Sequence, residues 1–436
     1  MALLSDHRDT IFAVAAGGGR SALTVLRISG PAAGAALDTL AGTRPRARMA
    51  ALRDLCTADD ERLDRALVLW FPAPRSYTGE DCAELQMHGG RAVLAAVSAR
   101  LLELGLRPAE AGEFTRRAFL NGRIDLLEAE AVADLVAAET ASQRRQALRQ
   151  LDGALGTVYR DWSKRLLGLL AQQEALIDFP DEDLPLEVEA AGRVELLRLL
   201  EEIGAHLADD RRGERVRDGL VFAIAGPPNA GKSTLINAIA QRDVAIVSPH
   251  PGTTRDLLEA RVDLAGVAVT LVDMAGLRET TDAIEAEGVK RARASIATAD
   301  LAILLTAADE PWPGTAIPPR SDLRVTTKID LVPGWRGAGL GISAMTGAGM
   351  AELLDILGAR AQALIAESGA PALTRPRHRA ALMEASGRLA AARDAAWPEL
   401  RAEDLRMALR AIGRITGAVG VEDVLDSIFF QFCIGK

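Results

Sequence analysis

At 436 residues, with 49% hydrophobic and 25% charged side chains, the chain has too much apolar material for intrinsic disorder and too much length for one core, so two to four domains are expected. Its 51 Lys and Arg against 60 Asp and Glu leave a formal charge of −9, which argues against a dominant sequence-independent grip on nucleic acid and leaves room for a local basic patch. Cys56, Cys82 and Cys433 lie far apart with no Cys-x-x-Cys pair, which speaks against a disulfide framework and a cysteine zinc site.

The first 16 residues carry Asp6 and Asp9 ahead of a short apolar run, unlike the basic start of an export signal, and no stretch reaches membrane-spanning length; a cytoplasmic protein is expected. From about residue 10 to 118, apolar β-formers at 11–15, 22–28 and 66–71 alternate with Gly and Pro turns, which predicts a mixed α/β domain. Between 126 and 206 the composition shifts to Ala, Leu, Glu and Arg, with Trp162, Leu166, Leu169 and Leu176 at helical spacing, so long helices are expected. They break at Phe179-Pro180-Asp181, where proline removes a donor and the acid-rich surroundings suit a solvated connection.

Between 219 and 364, strand-like runs at 220–225, 267–272, 301–305, 323–327 and 340–343 alternate with helical segments, the rhythm of βαβ units in a largely parallel sheet. Helical periodicity returns from 380 to 432. Two helical stretches thus flank one α/β unit, and each has an apolar stripe to bury, so they are predicted to pack together with the α/β unit inserted between them. The expected divisions are 1–118, an N-terminal α/β domain; 119–217, the first part of an all-α bundle; 218–370, an inserted α/β domain; and 371–436, the rest of the bundle.

Directly after the run at 220–225 comes Gly226-Pro-Pro-Asn-Ala-Gly-Lys232-Ser233, and Thr234 opens a helical pattern: G-x-x-x-x-G-K-[ST] in the context it requires. The glycines let backbone amides wrap phosphate oxygens, the helix N-terminus favours their charge, Lys232 reaches the β and γ phosphates, and Ser233 suits Mg2+. Four further signals follow in the order a guanine-nucleotide site needs. Pro251-Gly-Thr-Thr-Arg-Asp256 offers Thr254 to the metal and the γ-phosphate; Asp273-Met-Ala-Gly276 ends a strand near both; Thr327-Lys-Ile-Asp330 sets a carboxylate against guanine's two N–H donors; Ser343-Ala344 offers a backbone amide to the base oxygen. Adenine has no such pair of donors, so GTP is the expected substrate.

This constellation resembles the TrmE-Era-EngA-like branch of the translation-factor-related GTPases. Thr327 stands where that class usually has Asn, which is expected to weaken the bracing of the base loop. Leu277 follows Gly276 where Ras-like enzymes keep a water-orienting Gln, so another polar group must serve, with Arg278, Glu279, Asp282, Glu285 and Glu287 as candidates.

Over essentially its whole length the chain resembles the MnmE (TrmE) family of tRNA-modification GTPases. The resemblance is carried by Asp273-Met-Ala-Gly-Leu-Arg-Glu-Thr-Thr-Asp-Ala-Ile-Glu285 with Gly288, Gly252-Thr-Thr-Arg-Asp256, the terminal Phe432-Cys-Ile-Gly-Lys436, Leu26-Arg-Ile-Ser-Gly30, Tyr77-Thr-Gly-Glu-Asp81, Glu84-Leu-Gln86, His88-Gly-Gly90 and Gly112-Glu-Phe-Thr-Arg-Arg-Ala-Phe-Leu-Asn121. It implies a homodimer held by N-terminal domains that each bind 5,10-methylene- or 5-formyltetrahydrofolate, and a GTPase domain inserted into a helical bundle. It further implies K+-dependent GTP hydrolysis in a heterotetramer with the flavoprotein MnmG, FAD being held by that partner alone. The product is an aminomethyl or carboxymethylaminomethyl group at C5 of the wobble uridine of certain tRNAs.

Carried over by position, the folate contacts are Arg27, Glu84, Arg123 (Lys in most of the family) and Lys436. The nucleotide contacts run through Asn229, Ala230, Gly231, Lys232, Ser233 and Thr234, then Ser248, Pro249, His250, Pro251, Gly252, Thr253 and Thr254, then Asp273, Met274, Ala275 and Gly276, and close on Thr327, Lys328, Asp330, Ser343 and Ala344. Mg2+ falls to Ser233 and Thr254, K+ to Asn229, Ser248, the His250 backbone and Thr253, and catalysis to Lys232, Thr254 and the water-orienting Glu285. Met274 replaces a usual Thr and is expected to be tolerated, and His250 and Pro251 replace small or aliphatic residues.

Cys433 reads as packing, the five histidines show no metal-ligand spacing, and His88 reads as a turn residue. Two arginine clusters, Arg211, Arg212, Arg215 and Arg217, and Arg375, Arg377 and Arg379, flank the expected junctions; solvated helix faces and tRNA phosphate contacts account for them equally well. Two other functions fit parts of the pattern: a regulatory GTPase of ribosome assembly, and a one-carbon folate enzyme with GTP as its regulator.

Overall fold

In the computed structural model of the chain, the described residues are 9–15, 21–178, 186–242, 244, 246, 259–274, 299–309, 322–337, 339–366, 371–419, 425, 428, 429, 432 and 435. They fall into two units, Met1–Ala133 with Leu409–Lys436, and Asp134–Ala408.

In the first unit, strict apolar alternation builds a two-faced sheet. Its strands are β1 (Ile11–Val14), β2 (Leu23–Ser29), β3 (Ala51–Cys56), β4 (Arg62–Phe71), β5 (Cys82–His88) and β6 (Arg107–Pro108), in the order β3-β4-β5-β2-β1-β6, antiparallel except for β1 with β6. Leu26 and Ile28 of β2 and Ala83, Leu85 and Met87 of β5 face helices α1 (Ala33–Ala41) and α2 (Arg91–Glu103), and all are fully buried. The intervening residues face the other way, because successive side chains of a strand alternate in direction. On that second face α3 (Glu113–Leu120) buries Phe114 against Ile11 and Ala13. The start of α4 (Leu126–Ala137) packs Leu126 and Ala129 against Leu425, Ile428, Phe429 and Phe432.

Buried charge joins the same elements. Arg117, 4% exposed, donates to the Asp9 and Glu113 carboxylates at 2.6 and 2.9 Å, to Glu80 at 3.2 Å and to the Asp9 carbonyl. Arg107 donates to Asp9 at 2.5 Å and to Glu113 at 2.6 and 2.9 Å. Burial raises the pKa of Glu113, but Arg107, the Glu110 amide and Arg117 outweigh it, and the net direction is down; Asp9 is lowered likewise, its burial outweighed by the same two arginines.

In the second unit α5 (Ala141–Leu151) starts at a capping box, Thr140 with Gln143, and is followed by α6 (Ala154–Asp178), α7 (Leu186–Leu207) and α8 (Arg212–Asp218). The expected break at Phe179-Pro180-Asp181 lies outside the described residues. Next come β7 (Leu220–Ala225), α9 (Lys232–Ala240), β8 (Glu259–Leu264), β9 (Val267–Asp273), β10 (Leu301–Ala307), β11 (Leu323–Thr327), β12 (Leu340–Gly341) and α10 (Met350–Leu364). The sheet order is β12-β11-β10-β7-β9-β8, all parallel except β8 with β9. β8 is a strand that sequence reading missed. Its Ala260, Val262 and Leu264 are buried in alternation, and it returns into β9 through Ala265-Gly266, whose φ angles of 55° and 85° are those of a tight hairpin turn.

The helical stretches before and after this sheet do meet: α11 (Pro376–Asp394) packs along α7, and α12 (Pro398–Thr416) follows it. Leu382, Ala385 and Leu389 of α11 are fully buried, as are Leu199 and Ile203 of α7. Polar ties fasten the return of the chain. Arg379 donates to Asp209 at 2.5 Å, to the Leu207 carbonyl at 2.7 Å and to Glu214 at 3.3 Å; Arg375 pairs with Asp134 at 2.7 Å; Thr374 donates to Gln150 at 3.0 Å. Arg215 bridges Asp210 and Asp300, Arg211 pairs with Glu214, and Arg217 with Asp218. Arg215, Arg375 and Arg379 therefore tie distant segments of this unit together, whereas Arg211 and Arg217 pair only with near neighbours on α8, and Arg211 stays exposed. No helix among the described residues is long and apolar enough to cross a membrane.

The lowered carboxylates of the first unit set a pH dependence. Asp9 and Glu113 contribute stability above the ordinary carboxylate range near pH ~4, and lose it as pH falls through their lower folded values. Pulse-labelling hydrogen exchange at β1 and α3 along urea titrations should therefore report full protection at pH 7 and a decline below about pH 4. Arg117→Ala removes a buried cation shared by Asp9, Glu80 and Glu113, leaving Arg107 to hold the first and last, and should cost on the order of 3 kcal/mol at pH 7.

Candidate functional site

In the second unit, β7 lies between β10 on one side and β9 on the other, each parallel to it, so the crossovers leave in opposite directions and a crevice opens beyond the strand's C-terminal end. The loop 226–231 occupies that place. A Cβ on Gly226 would stand 2.4 Å from the Leu305 carbonyl oxygen, so only glycine lets the chain pass, and Gly231, with φ of 84°, turns it into α9. Asn229 takes a φ of 64° at the exposed loop tip and Ala230 is fully buried. Lys232 is 8% exposed, and its Nζ donates back to the Gly226 and Pro227 carbonyls at 2.9 and 3.0 Å. Burial lowers its pKa, with Asp273 opposing. An ammonium so held at a helix N-terminus beside backbone amides is a ready anion partner.

Ser233 donates its hydroxyl proton to Asp273 Oδ2 at 2.5 Å, across from the end of β9. Asp273 is 4% exposed, and its Oδ1 has no hydrogen-bond partner among the described residues. An orphaned carboxylate oxygen beside a serine hydroxyl is an oxygen donor set that fits Mg2+. Met274 packs with Ala223, Ala225, Ala299, Ala302 and Leu304, which explains how an apolar residue replaces a threonine there. Thr234 is exposed on the first turn of α9.

The base-side residues end the neighbouring strands. Thr327, 4% exposed, donates its hydroxyl proton to the Ala230 carbonyl at 2.6 Å, with the Thr306 carbonyl at 3.2 Å as a second acceptor. The shorter side chain thus reaches the loop after β7, because the end of β11 lies close to it. Lys328 has φ of 57° and leads into a 3₁₀ turn, Ile329–Leu331, on which Asp330 is exposed. The Ile329 amide donates to the Ile342 carbonyl, tying this turn to the segment after β12. Ser343, fully buried, has left the strand expected to include it; its Oγ accepts from the Thr346 amide at 3.1 Å and so shapes the loop that holds half-buried Ala344. Ser248, Pro249, His250, Pro251, Gly252, Thr253, Thr254, Ala275, Gly276 and Glu285 lie outside the described residues.

The first unit holds a separate cavity of about 250 Å3 on the sheet face turned away from α1 and α2. Register puts Arg27 of β2 opposite Glu84 of β5, and the guanidinium donates to Glu84 Oε1 at 3.0 and 2.8 Å. Arg27 lies 5.2 Å from the Tyr77 ring centre and 5.7 Å from that of Phe114, and Tyr77 is fixed by a 2.8 Å hydrogen bond with Thr115. Arg123 lines the same cavity, its stem against Gly79. Three of the four residues proposed from resemblance to contact folate are thus brought together, and Lys436 lies outside the described residues. Arg48, Phe71, Arg75 and Cys82 also line the cavity. Tyr77 stands in a motif the sequence displays, whereas Arg48 and Arg75 come from loops with no local signal.

Thr327→Val removes the strut to a fully buried carbonyl. Amide exchange at 229–233 and 326–330 should speed up by roughly fivefold to thirtyfold, the equivalent of about 1–2 kcal/mol, and unchanged exchange would deny the strut its role.

Comparison with known proteins agrees with this geometry. Residues 126–433 match the family model "MnmE helical domain" and residues 10–123 match "GTP-binding protein TrmE N-terminus". The chain is 56% identical over 434 residues to the tRNA modification GTPase MnmE of Gluconacetobacter diazotrophicus, covering 98% of each chain. It is 55% identical to the protein of that name from Rhodospirillum rubrum, covering 98% of this chain and 99% of that one, and 52% identical to that of Granulibacter bethesdensis, covering 98% and 100%. The chain belongs to the MnmE family of tRNA modification GTPases.

Proposed function

We propose that this chain hydrolyses GTP to drive a modification of tRNA. The observation that carries the reading is the convergence of Lys232, the Ser233–Asp273 pair and the Thr327 strut on one sheet edge, with Asp330 on the adjoining turn. Backbone amides of 226–233 and the Lys232 ammonium hold the phosphates, and Asp330 accepts from guanine's two N–H groups. Ser233 and Thr254 hold Mg2+, which neutralises charge on the β and γ phosphates. Asn229, Ser248, the His250 carbonyl and Thr253 hold K+, which supplies the positive charge an arginine finger gives elsewhere; the exposed amide of Asn229 at the loop tip is an oxygen donor suited to it. Glu285 orients the attacking water, Thr254 senses the γ-phosphate, and the remaining proposed contacts complete the nucleotide shell.

The N-terminal cavity takes a one-carbon tetrahydrofolate, 5,10-methylene or 5-formyl, through Arg27, Glu84, Arg123 and Lys436. Glu84 accepts from ring N–H groups and the cations meet carboxylates. Two copies associate through their N-terminal domains and work with the flavoprotein MnmG, which holds FAD, on the wobble uridine of tRNA in the cytoplasm. The division into 1–118, 119–217, 218–370 and 371–436 belongs to the same reading; the packing of α11 on α7 and the Arg379 ties favour an inserted GTPase segment.

Mass spectrometry of tRNA nucleosides tests the whole. A deletion strain should lack a C5-modified wobble uridine that the wild-type gene restores and Lys232→Ala does not. Unchanged nucleosides would sink the reading in favour of a ribosome-assembly role, and restoration by Lys232→Ala would make GTP a mere regulator. In the purified protein, Glu285→Ala should lower kcat by at least ~10² with GTP affinity nearly unchanged; a large loss of affinity instead would remove Glu285 from the water.

A further inference from the structure

We propose that the N-terminal cavity reads the length of its ligand's carboxylate chain: Arg48 and Arg75, with Arg123, form a cationic rim that grips γ-linked glutamates beyond the first, so the preferred ligand is a polyglutamylated folate. The inference rests on the folate reading of that cavity and adds two residues that the reading does not contain.

Charge on the cavity wall is the first argument. Four arginines, Arg27, Arg48, Arg75 and Arg123, line it against a single carboxylate, Glu84, and that carboxylate is engaged by Arg27. Arg48, Arg75 and Arg123 form no ion pair among the described residues, and all three are exposed at the mouth. A wall this unbalanced calls for an anionic partner from outside. A folate with one glutamate brings two carboxylates, and each further γ-linked glutamate adds one, so lengthening the tail is what matches the ligand to the rim.

Size points the same way. At about 250 Å3 the cavity is smaller than the roughly 300–1,000 Å3 of sites that enclose a drug-sized ligand. It has room for a ring system, and the tail must lie in the mouth, where the three guanidinium groups are.

The ordinary reading of exposed arginines is a solvated surface, and Arg48 departs from it. Its backbone takes φ of 62°, a left-handed conformation that is costly for a residue with a side chain and that clusters at binding sites. Its guanidinium lies 5.7 Å from the Phe71 ring centre and donates to the Arg75 carbonyl oxygen, so the two rim segments are fastened to each other. A guanidinium held this way has already lost the side-chain freedom that binding would otherwise have to remove.

Calorimetry on the full-length chain decides it, using 5-formyltetrahydrofolate with one glutamate and the same compound with three. At low salt the triglutamate form should bind roughly tenfold tighter, and the ratio should shrink as NaCl is added, since the rim is exposed. In the double variant Arg48→Gln, Arg75→Gln the ratio should fall to about one, and Arg48→Lys should retain part of it. Equal binding of the two forms by the wild type, or a ratio that survives the double variant, overturns the rim and leaves the folate reading standing. Binding of neither form overturns the folate reading and the rim with it. Should the double variant bind neither form, the wild-type salt series decides, a ratio indifferent to NaCl counting against the rim.

Discussion

The second unit depends on one constraint, the parallel pairing of β7 with both β9 and β10. Parallel strands must be joined by crossovers, so their C-terminal ends share an edge, and where crossovers diverge no connection fills the space beyond the strand. The loop after β7 lies there with its carbonyls turned to Lys232 and Thr327. Asp273 ends β9 one strand away, and Thr327 ends β11 two strands away on the other side. Residues separated by up to a hundred positions thus meet because each terminates a strand, and the proposed nucleotide site is a property of the sheet edge more than of any one loop.

Charge pairing does in both units what apolar packing alone would leave undone. The apolar clusters are continuous within each sheet, and the segments that arrive from far along the chain are registered by directional bonds to arginine. Arg117 and Arg107 hold the start of β1, the loop before β5 and the first turn of α3 in one network; Arg379 and Arg375 hold the returning chain to Asp209, Glu214 and Asp134. Buried pairs of this kind gain little over a well-packed apolar contact, but a misplaced partner leaves an unpaired charge, so they penalise the wrong arrangement more than they reward the right one.

The general fold and the glycine-rich loop after β7 were legible in the sequence because their signals are local. A phosphate loop needs glycine, lysine and serine at set spacing whatever surrounds it; strand 220–225 was read to the residue because its apolar run is bounded by Gly219 and Gly226, and 323–327 because its Leu, Val and Thr are β-formers that stop at Lys328. Strand β8 escaped because it lies at a sheet edge with half of its residues polar, and the strand expected at 340–343 was too long because Ser343 spends its oxygen on the loop.

What the sequence determined by itself was therefore what a short stretch of backbone can carry: the glycine-rich loop after β7, the aspartate that ends β9, the turn after β11 and the helical flanks. Tertiary structure alone decided the rest. It set Arg215 and Arg379, one from each of two arginine clusters of ambiguous meaning, into ion pairs with distant segments, showed that Thr327 spans the distance to Ala230, and brought Arg48 and Arg75 beside Arg27 and Glu84. The reason is physical: a backbone turn is specified by its own residues, whereas a salt bridge or a cavity wall is specified by whichever distant segment the fold delivers.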